Sequence, residues 1–321
     1  GLQMRMYLLL AVMFGIIYAV IVMVASTLGV GNFILYAVLA SVMVLIQYMI
    51  GPMMVGWTMR VRWVTEQEEP ELHRTVEELA RQAHIPKPKV GISALSIPNA
   101  FAYGRSQGDA RVVVTEGVRQ LLSKNELKAV LGHEVSHVKH RDMVVITILS
   151  VVPLILWYIA WGIMWGGGRD RRNGGYIALV GFAAFLLYFV TNLLVLYASR
   201  IREYYADQGS VRLGSEPRDL ATALYKLVYG SARASKEELK HVEGVKAFFV
   251  NDPSRSLTEV RELRELDRDM SGTIDSSELA ALRTKQVKLG FGDKLMEAMS
   301  THPNMLKRIR HLSTLMFLPQ A

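Results

Sequence analysis

Four long apolar runs interrupt an otherwise mixed chain: Met6 to Ala25, Phe33 to Met53, Met143 to Trp165 and Tyr176 to Ala198, none of them holding an acidic or basic residue. Each is long enough to cross about 30 Å of hydrocarbon as a helix. A core helix of a soluble protein shows a polar stripe, and four uninterrupted apolar runs of this length have no place in a soluble fold. The pattern predicts a mainly α integral membrane protein with four transmembrane helices in two hairpins. A cleaved signal peptide would be shorter than the first run, and a second apolar run follows it after a brief uncharged turn, so the first hairpin is read as retained.

Polar segments follow each hairpin, Val64 to Asp142 and Arg200 to Ala321. Within the first, Pro70 to His84 has Leu72, Val76, Leu79 and Ala80 on one helical face and is ended by Pro86 and Pro88. Short β-type runs follow at Lys89 to Ile92 and Arg111 to Thr115, with Ala100 to Tyr103 as a third strand between them. Ser123 with Glu126 three residues on is a capping box that opens a helix running to His140. The expected organisation is a transmembrane hairpin over 1–58, half of an α+β domain over 59–142, a second hairpin over 143–199, and the other half over 200–321, with an insert at 256–289.

Charge sets the orientation. The turn Ser26 to Asn32 has no Lys or Arg, whereas Arg5, Arg60, Arg62, Lys139, Arg141, Arg200 and Arg202 fall on the opposite side of a four-pass arrangement. That side is read as cytoplasmic, with both termini inside and the protein multi-pass in the cell membrane. Arg169, Arg171 and Arg172 in the loop Gly166 to Gly175 count the other way. The net charge of +8 sits largely at membrane flanks, where anionic headgroups of the lipid bilayer are the partner; no basic run interleaved with aromatics points to nucleic acid. Cysteine is absent, which excludes disulfides, thiolate ligands and a thiol nucleophile. Any metal must be held by His, Asp or Glu.

Such residues occur together at Gly132-His133-Glu134-Val-Ser-His137. Histidines four apart share one helical face and can reach one ion, while Glu134 beside them can hold a water. The bland alternative is a solvated helix with two unrelated histidines. Catalytic zinc takes three protein ligands and keeps a fourth position open, and in His₂Glu sites the third is a carboxylate on another helix. Just after the fourth apolar run comes Arg202-Glu203-Tyr-Tyr-Ala-Asp207. Glu203 and Asp207 share a face, so one can bind the ion while the other, one turn on, orients a ligand. A surface carboxylate paired with a neighbouring Arg is the alternative for Glu203.

At these residues the chain resembles the HtpX-type membrane zinc metalloproteases, related more distantly to the CAAX prenyl proteases. The resemblance covers the apolar runs, Pro98 to Tyr103, Val112 to Gly117, Gly132 to Asp142, Arg202 to Asp207 and Thr301-His302-Pro303. It implies a cytoplasmic zincin-like α+β protease domain with zinc on His133, His137 and Glu203, and Glu134 as general base. It also implies that Asn99, Ala100, Phe101 and Ala102 form an edge strand that aligns a protein substrate by β-augmentation. His302 becomes the candidate donor to the oxyanion. Asn304 stands where the family often has a second proline, and the alternative for His302 is a helix-start residue before Met305 to His311. Misfolded or damaged membrane proteins are the implied substrates.

One segment lies outside the resemblance. Asp267-Arg-Asp269-Met-Ser271-Gly272-Thr273-Ile-Asp275-Ser-Ser-Glu278 has the spacing of an EF-hand calcium loop, with oxygen ligands Asp267, Asp269, Ser271, Thr273, Asp275 and Glu278 and glycine at position 6. Leu257, Val260, Leu263 and Leu266 before it, and Leu279 and Leu282 after it, give the flanking helices apolar faces. Those faces need a partner, either the protease domain or the same element of a second subunit in a homo-oligomer. A helix-loop-helix that binds no metal is the alternative. Two competing functions remain at this stage: a catalytically silent calcium-binding membrane scaffold with a structural zinc site, which would have no use for Glu134, and a transporter, which the absence of ionisable residues from the four runs disfavours.

Overall fold

The computed structural model describes residues 48–50, 52–142, 174–235, 237–239, 249–251, 255–283 and 290–316, with 45, 145, 156–157 and 160. The apolar run Met6 to Ala25 lies outside them, as do most of Phe33 to Met53 and Met143 to Trp165. The chain divides into two compact units, one of Gly1–Ile50 and Val144–Ala198, the other of Gly51–Met143 and Ser199–Ala321.

In the second unit a four-stranded sheet has the order β1-β2-β4-β3, from strands β1 (Val61–Trp63), β2 (Lys89–Ser93), β3 (Ala100–Tyr103) and β4 (Arg111–Thr115). β2 and β4 run parallel, while β1 on β2 and β3 on β4 are antiparallel. Strand β3 therefore lies at an edge. Ala100, Ala102, Val112 and Val114 face the main core, whereas Phe101, Tyr103 and Val113 face a smaller cluster with Met59, Leu95, Ile97 and Phe249. Burial on both faces explains why these strands read as continuous apolar runs rather than as an alternation.

Helices build the main core on this face: α1 (Pro70–Ala83), α2 (Glu116–Leu121), α3 (Lys124–Lys139), α5 (Pro217–Ala232), α6 (Ser256–Leu263), α7 (Ser276–Ala281) and α9 (Met305–Leu315), while α8 (Phe291–Ala298) contributes no described residue to it. Ser123 caps α3 through the expected capping box. α1 ends earlier than the proline pair, because His84 enters the left-handed region (φ 58) and its N–H and that of Ile85 turn back onto the last carbonyls. α5 packs against α2, α3, α6, α7 and α9, and ten of its sixteen residues are buried. The helices flanking the acidic loop thus find their partners within the same chain, on α5 and α9. Leu263, Leu266, Leu279 and Leu282 are buried there, but Leu257 is 75% exposed and does not belong to the apolar face expected of it.

Helix α4 (Gly174–Arg212) is 39 residues long and joins the fourth apolar run to the Glu203 segment without a break. The hydropathy pattern alone puts the end of that helix near Ala198. Ser199 to Arg202 contains neither Gly nor Pro, so nothing stops propagation once the apolar part is helical. Over Leu179–Arg212 it is long and apolar enough to cross a membrane, the one such helix among the described residues. Leu179, Phe182, Leu186 and Phe189 on it are exposed.

Candidate metal centre

Helix α3 and the last third of α4 cross at four small residues. A Cβ added to Gly209 would lie 2.0 Å from Oγ and 2.6 Å from Cβ of Ser136, and one added to Gly132 would lie 2.9 Å from Ser210 Oγ. Ser210 Oγ donates to Ala129 O at 2.6 Å, tying the two backbones together. This close approach brings Glu203 over the face of α3 that carries His133 and His137.

Three donor groups converge there. The Nε2 atoms of His133 and His137 are 3.1 Å apart, Glu203 Oε2 is 3.5 Å from His133 Nε2, and Glu203 Oε1 is 3.4 Å from His137 Nε2. Donor atoms bound tetrahedrally to zinc at about 2.0–2.1 Å are separated by about 3.3 Å. Each Nε2 is close to that spacing from the other Nε2 and from the nearer Glu203 oxygen, so His133, His137 and the Glu203 carboxylate fit the ion.

A carboxylate faces the other nitrogen of each imidazole. Asp207 Oδ1 lies 2.9 Å from His133 Nδ1, and Asp142 Oδ2 lies 2.7 Å from His137 Nδ1. Such partners hold the proton on Nδ1 and leave Nε2 as the metal donor. Burial pulls the His137 imidazole down, but Asp142 and Glu203 outweigh it and push it up to about 10; His133 is raised in the same way by Asp207 and Glu203. Asp142 is itself held below the usual carboxylate range, burial being overcome by His137 and Arg202, whose Nε is 3.0 Å away.

Arg308 from α9 lies behind Asp207. Fully buried, it donates from Nε and Nη2 to the two oxygens of Asp207 at 3.0 and 2.7 Å and from Nη1 to Val250 O at 2.6 Å, while Nη1 is 3.1 Å from Glu203 Oε2. Neither Asp142 nor Arg308 had a role in the sequence reading. Asp142 carried a signal, as an acid just past the end of the histidine helix; Arg308 carried none.

Glu134 points toward the edge strand, where its Oε2 accepts from Ala102 N at 2.7 Å. Burial pushes its carboxyl above the ordinary range, and His133 and His137 pull the other way. The four residues nominated for substrate have buried side chains, and Asn99 Oδ1 is engaged by Val250 N at 3.0 Å. What β3 can offer an incoming strand is therefore backbone. His302 is 5% exposed, its Nδ1 is 3.5 Å from Glu203 Oε2, and among the described residues neither ring nitrogen makes a hydrogen bond. It does not start the following helix: Asn304 caps α9 through Oδ1 and Lys307 N.

A second acidic cluster lies apart from these residues in the fold. Asp267, Asp269 and Glu278 bring one oxygen each within 4.8 Å of one another. Gly272 takes φ +77 at the loop's sixth position, which glycine tolerates without strain. Asp267 accepts from the N–H groups of Ser271 and Gly272 and from Tyr225 Oη at 3.1 Å, and Glu278 accepts from Arg268 N and Asp275 N. Asp275 caps α7, while Ser271 and Thr273 hydrogen-bond to each other on the exposed side. Ile274 is buried, and its N–H and C=O both meet Thr222 Oγ1 of α5, at 3.0 and 3.1 Å.

Comparison with known proteins places the chain among metalloproteases over the span that holds these residues. The pattern of peptidase family M48 matches residues 66–316. A "Protease HtpX homolog" of Methanothermobacter thermautotrophicus is 52% identical over 71% of this chain and 86% of its own length, and one of Moorella thermoacetica is 36% identical over 87% and 83%. Among solved structures, S. mikatae Ste24p superposes with a TM-score of 0.52 at 17% identity; 97% of this chain is covered but only 65% of Ste24p, so that likeness concerns the fold alone.

Proposed function

The chain belongs to peptidase family M48, and from that premise we propose that it is a multi-pass membrane zinc endopeptidase that cleaves membrane proteins at the cytoplasmic face. The observation that carries this reading is the convergence of His133 Nε2, His137 Nε2 and the Glu203 carboxylate, the two nitrogens 3.1 Å apart and each within 3.5 Å of one of its oxygens, beside a buried Glu134. A scaffold with a structural metal would have no use for that carboxylate next to the substrate strand.

Zinc held by these three residues supplies a Lewis acid that polarises a peptide carbonyl and acidifies water. Glu134, with its raised proton affinity, takes the proton from the attacking water and delivers it to the leaving amine. Substrate lies extended along β3, paired through backbone groups, which favours exposed unfolded segments over any particular sequence. His302 aims an N–H at the oxygen that gains charge in the tetrahedral intermediate. Asp207 and Asp142 keep both histidines in the donor tautomer. About five residues separate the run Tyr176 to Ala198 from Glu203, which places the centre within roughly two helical turns of the bilayer. Damaged cytoplasmic segments of membrane proteins are then the nearest substrates.

The loop from Asp267 to Glu278 binds Ca²⁺ in this reading, supported by the three converging carboxylates and the left-handed glycine. Calcium then modulates the protease.

The test is metal analysis with cleavage of casein and of a membrane-protein substrate. Glu134→Gln keeps its zinc and loses turnover by about a hundredfold or more, the scale of general acid–base catalysis. Retained turnover sinks the assignment. Glu203→Ala lowers zinc content, and full occupancy in that variant would point to a different third ligand.

A further inference from the structure

Among the described residues neither nitrogen of the His302 ring makes a hydrogen bond; Nδ1 faces Glu203 Oε2 at 3.5 Å, and the side chain is enclosed rather than clamped. With no hydrogen bond to fix it, the ring depends for its place largely on the backbone of residues 300–305. At one end His302 N donates to Ser300 Oγ at 3.2 Å, and Arg200 Nη1 gathers the carbonyls of Glu297, Ala298 and Ser300. At the other end three glutamates take up the donors: Glu297 Oε1 accepts from Asn304 N at 3.0 Å, Glu259 Oε1 from Met305 N at 3.3 Å, and Glu262 Oε2 from Asn304 Nδ2 at 2.5 Å.

Asn304 is the junction. It has no exposed surface, its Oδ1 caps α9, and its amide nitrogen reaches sideways to Glu262 on α6. Glu259 and Glu262 are three apart on α6 and so share the face that grips this segment. The Asn304–Glu262 bond joins a partly buried carboxylate to a buried amide, one of the stronger kinds of hydrogen bond, and of the three it is the one with a side chain at both ends, so it can be altered from either partner.

We propose that Glu262 is a positioning residue for the reaction, acting through Asn304 to hold His302 in place, so that helix α6 controls the aim of the oxyanion donor. This rests on the proteolytic reading above and names a control on the same site. Misplacement of a catalytic group by about an ångström costs up to 10²-fold in rate, and loss of one of several anchors is expected to cost roughly tenfold.

The test uses the full chain in lipid nanodiscs with a peptide substrate, zinc content being measured alongside. Asn304→Asp keeps the Oδ1 cap but sets a carboxylate against Glu262; Glu262→Ala removes the acceptor; Glu262→Gln keeps an amide oxygen that can still accept. Asn304→Asp and Glu262→Ala each lower kcat about tenfold at unchanged KM and zinc content, while Glu262→Gln stays within about twofold of the parent. On a His302→Ala background, followed over extended incubation, Glu262→Ala has no further effect, because the path it acts through is gone. An equal loss on both backgrounds, or full turnover in Asn304→Asp and Glu262→Ala, overturns the proposal. Turnover by Glu134→Gln, or none by the parent, is the separate failure of the proteolytic reading.

Discussion

Arg308 is fully buried with Asp207 on two of its nitrogens and Glu203 on the third. Replacing it by Met keeps most of the volume and strands both carboxylates. Removing one partner of a buried pair costs about 3–5 kcal/mol, because the remaining charge is left uncompensated. Arg308→Met should therefore lower the unfolding free energy by that amount in the zinc-free protein, measured by chemical denaturation, and bound zinc should recover part of it by neutralising Glu203. A loss under about 1 kcal/mol would mean that other groups carry the charge. At this scale the sequence was legible where the chemistry is local: His133, Glu134 and His137 lie within one and a half turns, and Glu203 and Asp207 are spaced i, i+4. Arg308 was not legible, since its partner Asp207 is 101 residues away and no helical or strand period encodes a contact of that range.

The crossing of α3 and α4 shows the same division between elements. Glycine in mid-helix costs about 1 kcal/mol relative to alanine, so Gly209→Ala considered alone would stabilise α4. Here the new methyl would meet Ser136 Cβ at 2.6 Å, an overlap that no rotation of the serine relieves, and overpacking of this kind costs about 1–3 kcal/mol. The clash wins. Gly209→Ala should lower stability and, by moving Glu203 away from the histidines, weaken zinc binding; adding Ser136→Gly should restore both, as isothermal titration of zinc would show. Unchanged zinc affinity in the single variant would mean that the crossing does not set the ligand spacing. Strands Ala100–Tyr103 and Arg111–Thr115 and the capped helix from Lys124 could be read in advance because burial and capping are written locally. The continuity of α4 through Ser199 could not, since hydropathy marks where an apolar run stops and is silent on whether the helix does. Leu257 misled for a related reason: its helical face was judged from spacing, but only the position of α5 and α9 decides which face is inside.

For the whole molecule, one family pattern from residue 66 to 316 embraces the zinc ligands and the acidic loop alike. Asp267, Asp269 and Glu278 crowd together, so a bound cation relieves their repulsion and favours the folded state. At a hundredfold excess over Kd the gain is about 2.7 kcal/mol, equivalent to a shift of about 5–10 °C in Tm for a domain of this size. Differential scanning calorimetry with calcium and then with a selective chelator should show that shift in the parent and not in Asp267→Ala with Glu278→Gln; equal traces for both proteins would remove calcium from the account. Because α6 enters this loop and grips Asn304, an ion there has a short mechanical route to His302. The contact of Ile274 with Thr222 has a consequence of another kind. The backbone of Ile274, the loop's eighth residue, is satisfied on both sides by one hydroxyl from the chain's own fifth helix. The element is therefore not portable: excised as a peptide or grafted onto another protein, the stretch from Ser256 to Leu282 would leave behind Thr222, Tyr225 and the apolar surface that closes it, and with them the shape of its loop.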